Sequence, residues 1–199
     1  MHTVDYVSPD AQAVRASMEL VTRVTDDDLA KPTPCRSWTL YGLLAHMATQ
    51  HYGFAAASRG DGDAALWKVR DLGADPVKAY LDAAEHVLAA FAEDSVTERQ
   101  FPLPEFGTDQ PFPGQQAISF HFIDYVVHSW DVAKSLGTTV TFTPEVLDAA
   151  REVAQLVPTG DLRLTPGSPF GPDIPWSGAD PLDKILAHLG RNPSWPKAV

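Results

Sequence analysis

The chain has 199 residues and a mass of 21.6 kDa, and 44% hydrophobic against 21% charged residues point to a globular core and against bulk disorder. With 26 acidic and 15 basic side chains the formal charge is −11 and the pI about 4.9. That balance argues against binding a nucleic-acid backbone or an anionic lipid surface, both of which want clustered Lys and Arg. One cysteine, Cys35, leaves nothing to pair with, and Met1–Tyr6 shows no basic region followed by an apolar run. A cytoplasmic chain with no transmembrane segment is the expectation, and any metal must be held mainly by His, Asp or Glu.

Helical periodicity opens at Pro9-Asp10 and runs to about Thr25, with Val14, Met18, Leu20, Val21 and Val24 as its apolar members. An acidic turn at 26–28 leads into Lys31–Trp38, too rich in proline to be helical. Thr39 or Ser37 caps a second helix reaching about Ser58. Asp75-Pro76, a cap followed by proline at the first helical position, starts a third that ends near Ala92. Pro102–Pro113 reads as a loop, and Gly114–Leu136 as a fourth, very apolar helix ending at Gly137. The longest alternating pattern is Thr138–Phe142, the one strand candidate. Thr143-Pro144 starts a fifth helix that stops near Pro158. Residues 159–199 form a Pro- and Gly-rich tail, wrapped on the surface, with a short helix at about Leu182–Leu189. The reading is all-α: one domain over residues 1–199, a four-helix bundle with an extra helix and a tail.

The fourth helix is apolar nearly all round, which marks a buried helix. Its polar exception is a narrow stripe of His121, Asp124, His128 and Asp131. Buried charge is costly unless paired or coordinating a cation, and Asp124 and His128, four apart, can place an oxygen and a nitrogen on one ion. Spacing alone supports a satisfied buried Asp–His pair equally well. A third ligand has to come from another helix; the second offers His46 and His51, and periodicity ranks neither. Trp38 and Trp130 read as packing residues, and His2, His86 and His188 as solvent-facing or packing. Cys35 carries no catalytic expectation, although Arg36 beside it would favour thiolate.

Thr33-Pro34-Cys35-Arg36-Ser37-Trp38-Thr39, then Leu43-Leu44-Ala45-His46, then Val127-His128-Ser129-Trp130-Asp131-Val132-Ala133 together resemble the DinB-like superfamily. More narrowly the chain is similar to its mycothiol-dependent maleylpyruvate isomerase N-terminal branch, and Pro181–Trp195 resembles the ending of its short stand-alone members. The resemblance implies a DinB/YfiT-like four-helix bundle with a divalent metal at one end, zinc in the isomerase, held by a His and a Glu-x-x-x-His pair. Carried over residue by residue, the ligands are His46, Asp124 and His128, with Asp124 standing where the isomerase has Glu. The shorter side chain leaves nickel or manganese as alternatives. The isomerase carries an additional C-terminal domain where this sequence shows a short tail, so the resemblance does not imply activity on maleylpyruvate itself.

The implied function is a thiol-dependent transferase or isomerase that acts on a small electrophilic molecule, with mycothiol as the thiol. His121 is open between a further ligand, a packed residue behind the ligands and a proton carrier, and as the last it is the candidate proton shuttle, because the imidazole pKa lies near neutrality. Asp131 is a candidate for orienting an imidazole through its other nitrogen and equally for capping a neighbouring segment. The alternatives are a non-catalytic metal-binding or regulatory bundle, or a metal-dependent hydrolase. The superfamily's frequent dimers make a homodimer an expectation without marking a contact face.

Overall fold

A computed structural model describes residues 5–35, 38–107, 110–165 and 168–197; His2, Arg36 and Ser37, singled out above, lie outside them. Its element order is α1 (Val7–Val21), α2 (Leu40–Ala57), α3 (Pro76–Phe91), β1 (Gln100–Phe101), β2 (Phe112–Pro113), α4 (Gly114–Ser135), α5 (Pro144–Leu156) and α6 (Pro181–His188). α1 packs on α3 and α4, and α2 packs on the same two helices, which closes a four-helix ring. α5 leans on α4 and α1, and α6 on α5. The arrangement is the expected all-α bundle. No helix among the described residues is long and apolar enough to cross a membrane.

The helix starts follow local chemistry. Thr39 accepts a hydrogen bond from the Gly42 N–H, Asp75 from Lys78, Thr143 from Val146 and Asp180 from Asp183, and the last three precede a proline. Each cap satisfies an N–H that the helix itself cannot. α4 begins differently. Its Pro113 offers no side-chain cap; instead the Gly114 N–H donates to the Arg99 carbonyl at 2.7 Å. A Cβ on Gly114 would sit 2.3 Å from the Val96 carbonyl oxygen, so only glycine lets the start of α4 press against that backbone.

Three expectations change. α1 starts two residues before Pro9, which is tolerated in a first turn, and Asp10 inside that turn is a buried side chain. Residues 138–142 form no strand: Val140 and Phe142 alternate inward against the helical core without a neighbouring strand to pair with. The short sheet lies elsewhere, where Gln100 pairs with Pro113 and Phe101 with Phe112 at the two ends of the expected 102–113 loop. Two residues per strand are too few to leave a periodic signal.

The tail is fastened by one buried arginine. Arg163 donates to the carbonyls of Pro158 (2.6 Å), Gly171 (3.3 Å), Val157 (3.3 Å) and His188 and to Asp173 (2.6 Å). His188 in turn contacts Asp173 and the Ala154 carbonyl, a packing role as expected. These bonds hold the proline-rich segment and α6 against α5.

Candidate metal centre

His46 lies in the second turn of α2, and Asp124 and His128 face it from α4. Asp124 places Oδ2 3.9 Å from His46 Nε2 and Oδ1 3.3 Å from His128 Nε2. The two imidazoles meet edge to face with centroids 5.2 Å apart. All three donor atoms lie within 4.8 Å of one another. Bonds of 2.0–2.2 Å in tetrahedral geometry put donors about 3.4 Å apart, so a modest contraction would bring these three onto one ion. Two imidazole nitrogens and one carboxylate oxygen form a donor set suited to zinc and its neighbours in the first transition row. The side chains of His46 and Asp124 are 20% and 22% exposed and that of His128 5%, so the cluster opens to solvent between His46 and Asp124 while His128 lies beneath.

The proline-rich loop before α2 has a local task. Thr33 Oγ donates toward the carbonyls of Cys35 (2.8 Å) and Trp38 (3.0 Å), and the Leu40 N–H returns to Lys31 (2.9 Å). The fold of this loop lays the Trp38 indole on the His46 ring, centroids 4.5 Å apart and planes 24° from parallel. Trp38 packs, as expected, but what it packs on is a candidate ligand.

His128 is held from behind. Its Nδ1 lies 2.9 Å from Asp131 Oδ2, so Nδ1–H donates to that carboxylate and Nε2 faces Asp124 and His46. Asp131 is fully buried and also accepts from Arg191, with Nε at 3.0 and 3.2 Å and Nη2 at 3.1 Å. Cys35, half-buried, lies within electrostatic reach of the same guanidinium. Burial pulls the His128 pKa down, but Asp124 and Asp131 outweigh it and raise it to about 9. Burial pushes the Asp124 carboxyl up, and the His128 charge overrides that and holds it well below the usual carboxylate range. At His46, burial with the His128 charge added outweighs the pull of Asp124, drops the pKa to about 4 and leaves the lone pair free at neutral pH.

One turn beyond His46, Gln50 donates from Nε2 to Glu105 at 2.8 Å, which holds the turn at Pro104–Phe106 over the helices. Phe106 stacks on Phe120 (5.0 Å), and Phe112 meets both rings edge-on. Phe120 is one turn before Asp124, so a carboxylate and an aromatic wall flank the site. Burial raises the Glu105 pKa, and the Asp124 charge adds to it.

His121 is elsewhere. It is 0% exposed, with Nδ1 2.6 Å from Asp10 Oδ1 of α1 and Nε2 3.2 Å from His51 Nδ1 of α2. His51 Nε2 continues to the Tyr80 hydroxyl of α3 at 3.4 Å, and Tyr80 to Ser17 of α1 at 2.6 Å. Tyr125 stacks on both imidazoles, at 4.1 and 4.2 Å, and donates its hydroxyl proton to the Met47 carbonyl. Burial raises the Asp10 pKa against the pull of His121 and drives that of His51 well below its ordinary value. The polar stripe of α4 thus divides between two places, with Asp124, His128 and Asp131 at the open cluster and His121 in a closed chain.

Sequence reasoning missed Arg191, Glu105 and Asp10. Only Asp10 left a signal, since it shares a helical stripe with Ala13, Val14, Ser17 and Val21, all buried. Arg191 reaches Asp131 across 60 positions and Glu105 reaches Gln50 across 55, and no periodicity links such pairs.

Comparison with known proteins adds relatives. A family profile described as the mycothiol maleylpyruvate isomerase N-terminal domain matches residues 11–133. Two Mycobacterium tuberculosis proteins, uncharacterized protein MT0763 (strain CDC 1551 / Oshkosh) and uncharacterized protein Rv0738 (strain ATCC 25618 / H37Rv), are each 31% identical over 197 residues. The alignment covers 94% of this chain and 98% of each relative. No solved structure matches the chain significantly.

Proposed function

The chain belongs to the mycothiol maleylpyruvate isomerase N-terminal domain family, and from that premise we propose that it is a divalent-metal protein that transfers a thiol to, or isomerises through a thiol, a small electrophilic molecule. The observation that carries the reading is the convergence of His46, Asp124 and His128 from two helices within 4.8 Å. In the proposal these three residues hold zinc, with nickel or manganese as alternatives, and leave coordination room on the solvent side. A bound cation supplies Lewis acidity, which favours the thiolate form of a thiol cosubstrate, mycothiol in this reading.

The remaining roles belong to the chain. Trp38 fixes the plane of His46, and Asp131 fixes His128 so that Nε2 faces inward. Glu105, whose carboxyl pKa burial and the Asp124 charge raise, stands in the proposal as a carrier for the proton that the thiol loses. His121, bonded to Asp10 and His51 in the interior, takes no direct part at the cation in this proposal. Phe106, Phe112 and Phe120 offer an apolar surface to an uncharged part of the substrate.

The test is metal content followed by chemistry. Purified wild-type protein is expected to hold about one zinc per chain and Asp124→Ala little or none; conjugation of a generic electrophile with mycothiol should require the loaded wild type. Metal without thiol-dependent turnover would favour a non-catalytic module, and no uptake of zinc, nickel or manganese would end the reading.

Acid should weaken the site by proton competition at His128. Below about pH 9 the free protein carries a proton on His128 that a cation must displace, whereas His46 is unprotonated above about pH 4. One proton is therefore released on binding between those limits. Apparent zinc affinity is expected to rise about tenfold per pH unit from pH 6 to 8 and to level off above pH 9. A chelator competition series across that range measures the slope, and a flat line would contradict it.

A further inference from the structure

We propose that Arg191, supplied by the C-terminal tail, is a positioning residue of the metal centre, acting through Asp131 on His128; the proposal rests on the metal reading above. Three observations carry it. Asp131 is 0% exposed and Arg191 9%, so each needs the other: an unpaired carboxylate at that depth would be strongly unfavourable. The guanidinium meets the carboxylate with two nitrogens, Nε at 3.0 and 3.2 Å and Nη2 at 3.1 Å, a fork that fixes the carboxylate plane. The oxygen thus fixed, Oδ2, is the one that receives His128 Nδ1–H at 2.9 Å. The orientation of Nε2 toward Asp124 therefore depends on a residue 63 positions away in the chain.

The fold builds that reach. Gly190 sits at φ +82°, and a Cβ there would lie 2.6 Å from the Gly171 backbone. Only glycine allows this crossing of two tail segments, and the next residue returns its N–H to Leu186 at 2.8 Å, which aims its side chain at α4. Arg163 clamps both crossing segments through the Gly171 and His188 carbonyls. The family profile ends at residue 133, so Arg191 and the crossing that aims it lie outside the matched part, whereas Asp131 and His128 lie within it. Tail docking and metal binding are then coupled, and by linkage each strengthens the other.

The measurement is zinc affinity of the full-length chain, by competition with a chromophoric chelator, for wild type, Arg191→Lys and Arg191→Met. A ring 1H–15N spectrum of the metal-free proteins follows His128 Nδ1–H. Lysine keeps the charge and so protects folding, but it cannot fork. We expect a 10- to 100-fold weaker dissociation constant for Arg191→Met and about tenfold for Arg191→Lys, both in folded protein by circular dichroism. The slowly exchanging Nδ1–H resonance should be present in wild type and lost in Arg191→Met. Wild-type zinc binding with both variants within twofold of it, and the resonance intact, would overturn the proposal alone. A wild type that binds no zinc would overturn the metal reading and this proposal together.

Discussion

Replacing His121 with leucine is expected to cost about 3–5 kcal/mol of stability, the largest loss of any single change considered. The imidazole is fully buried, and removing it strips two groups at once. Asp10 loses its partner at 2.6 Å while its second oxygen already lacks a hydrogen bond, and His51 Nδ1 loses the acceptor or donor it faced at 3.2 Å. Neither can turn to water, because both side chains are sealed between helices. Urea unfolding of His121→Leu against wild type checks the size. The double variant Asp10→Leu/His121→Leu should be less damaged than the sum of the two single changes, because no carboxylate is left alone in the core. Strict additivity of the two single losses would contradict the coupling.

His46→Ala should weaken zinc binding by about two orders of magnitude. Structural zinc sites hold the ion by about 10–16 kcal/mol over four ligands, so one ligand is worth roughly 3 kcal/mol or somewhat more. The fold should barely change, because His46 is partly exposed and its loss exposes one face of Trp38 rather than opening a sealed cavity. A thermal midpoint close to wild type in metal-free buffer, combined with a zinc dissociation constant about 100-fold weaker, is the expected pair of results. Unchanged zinc affinity would remove His46 from the site.

Local chemistry was readable and long-range register was not. Asp75-Pro76 and Thr143-Pro144 announced their helices because a cap and its proline act within one turn. The apolar surface of Gly114–Ser135, broken only by its narrow polar stripe, announced a central helix because burial needs no knowledge of which neighbour covers it. The grouping of His46 with Asp124 and His128 came from family resemblance, since spacing could not choose between His46 and His51. Those two histidines lie five residues apart on one helix, far enough round it for one to face Asp124 and the other the core. The stripe on α4 misled for the same reason. His121 shares a face with Asp124 on a helical wheel, yet the neighbours that sort them, Asp10 on α1 and His51 on α2, are invisible along the chain. Arg191 is the extreme case: its meaning depends on where the tail crosses itself.

The chain Asp10–His121–His51–Tyr80–Ser17 draws on α4 for one link and on each of α1, α2 and α3 for the others, with contacts of 2.6–3.4 Å. Sliding any one of those helices by a turn moves its atoms about 5.4 Å, farther than any of these bonds can stretch. A misaligned bundle of the same helices could still bury its leucines and valines, but it would strand polar atoms in the dry interior at about 1–3 kcal/mol each. The four rods accordingly have one mutual alignment that leaves this thread unbroken, which is how a core otherwise built of interchangeable greasy contacts comes to fit together in a single way.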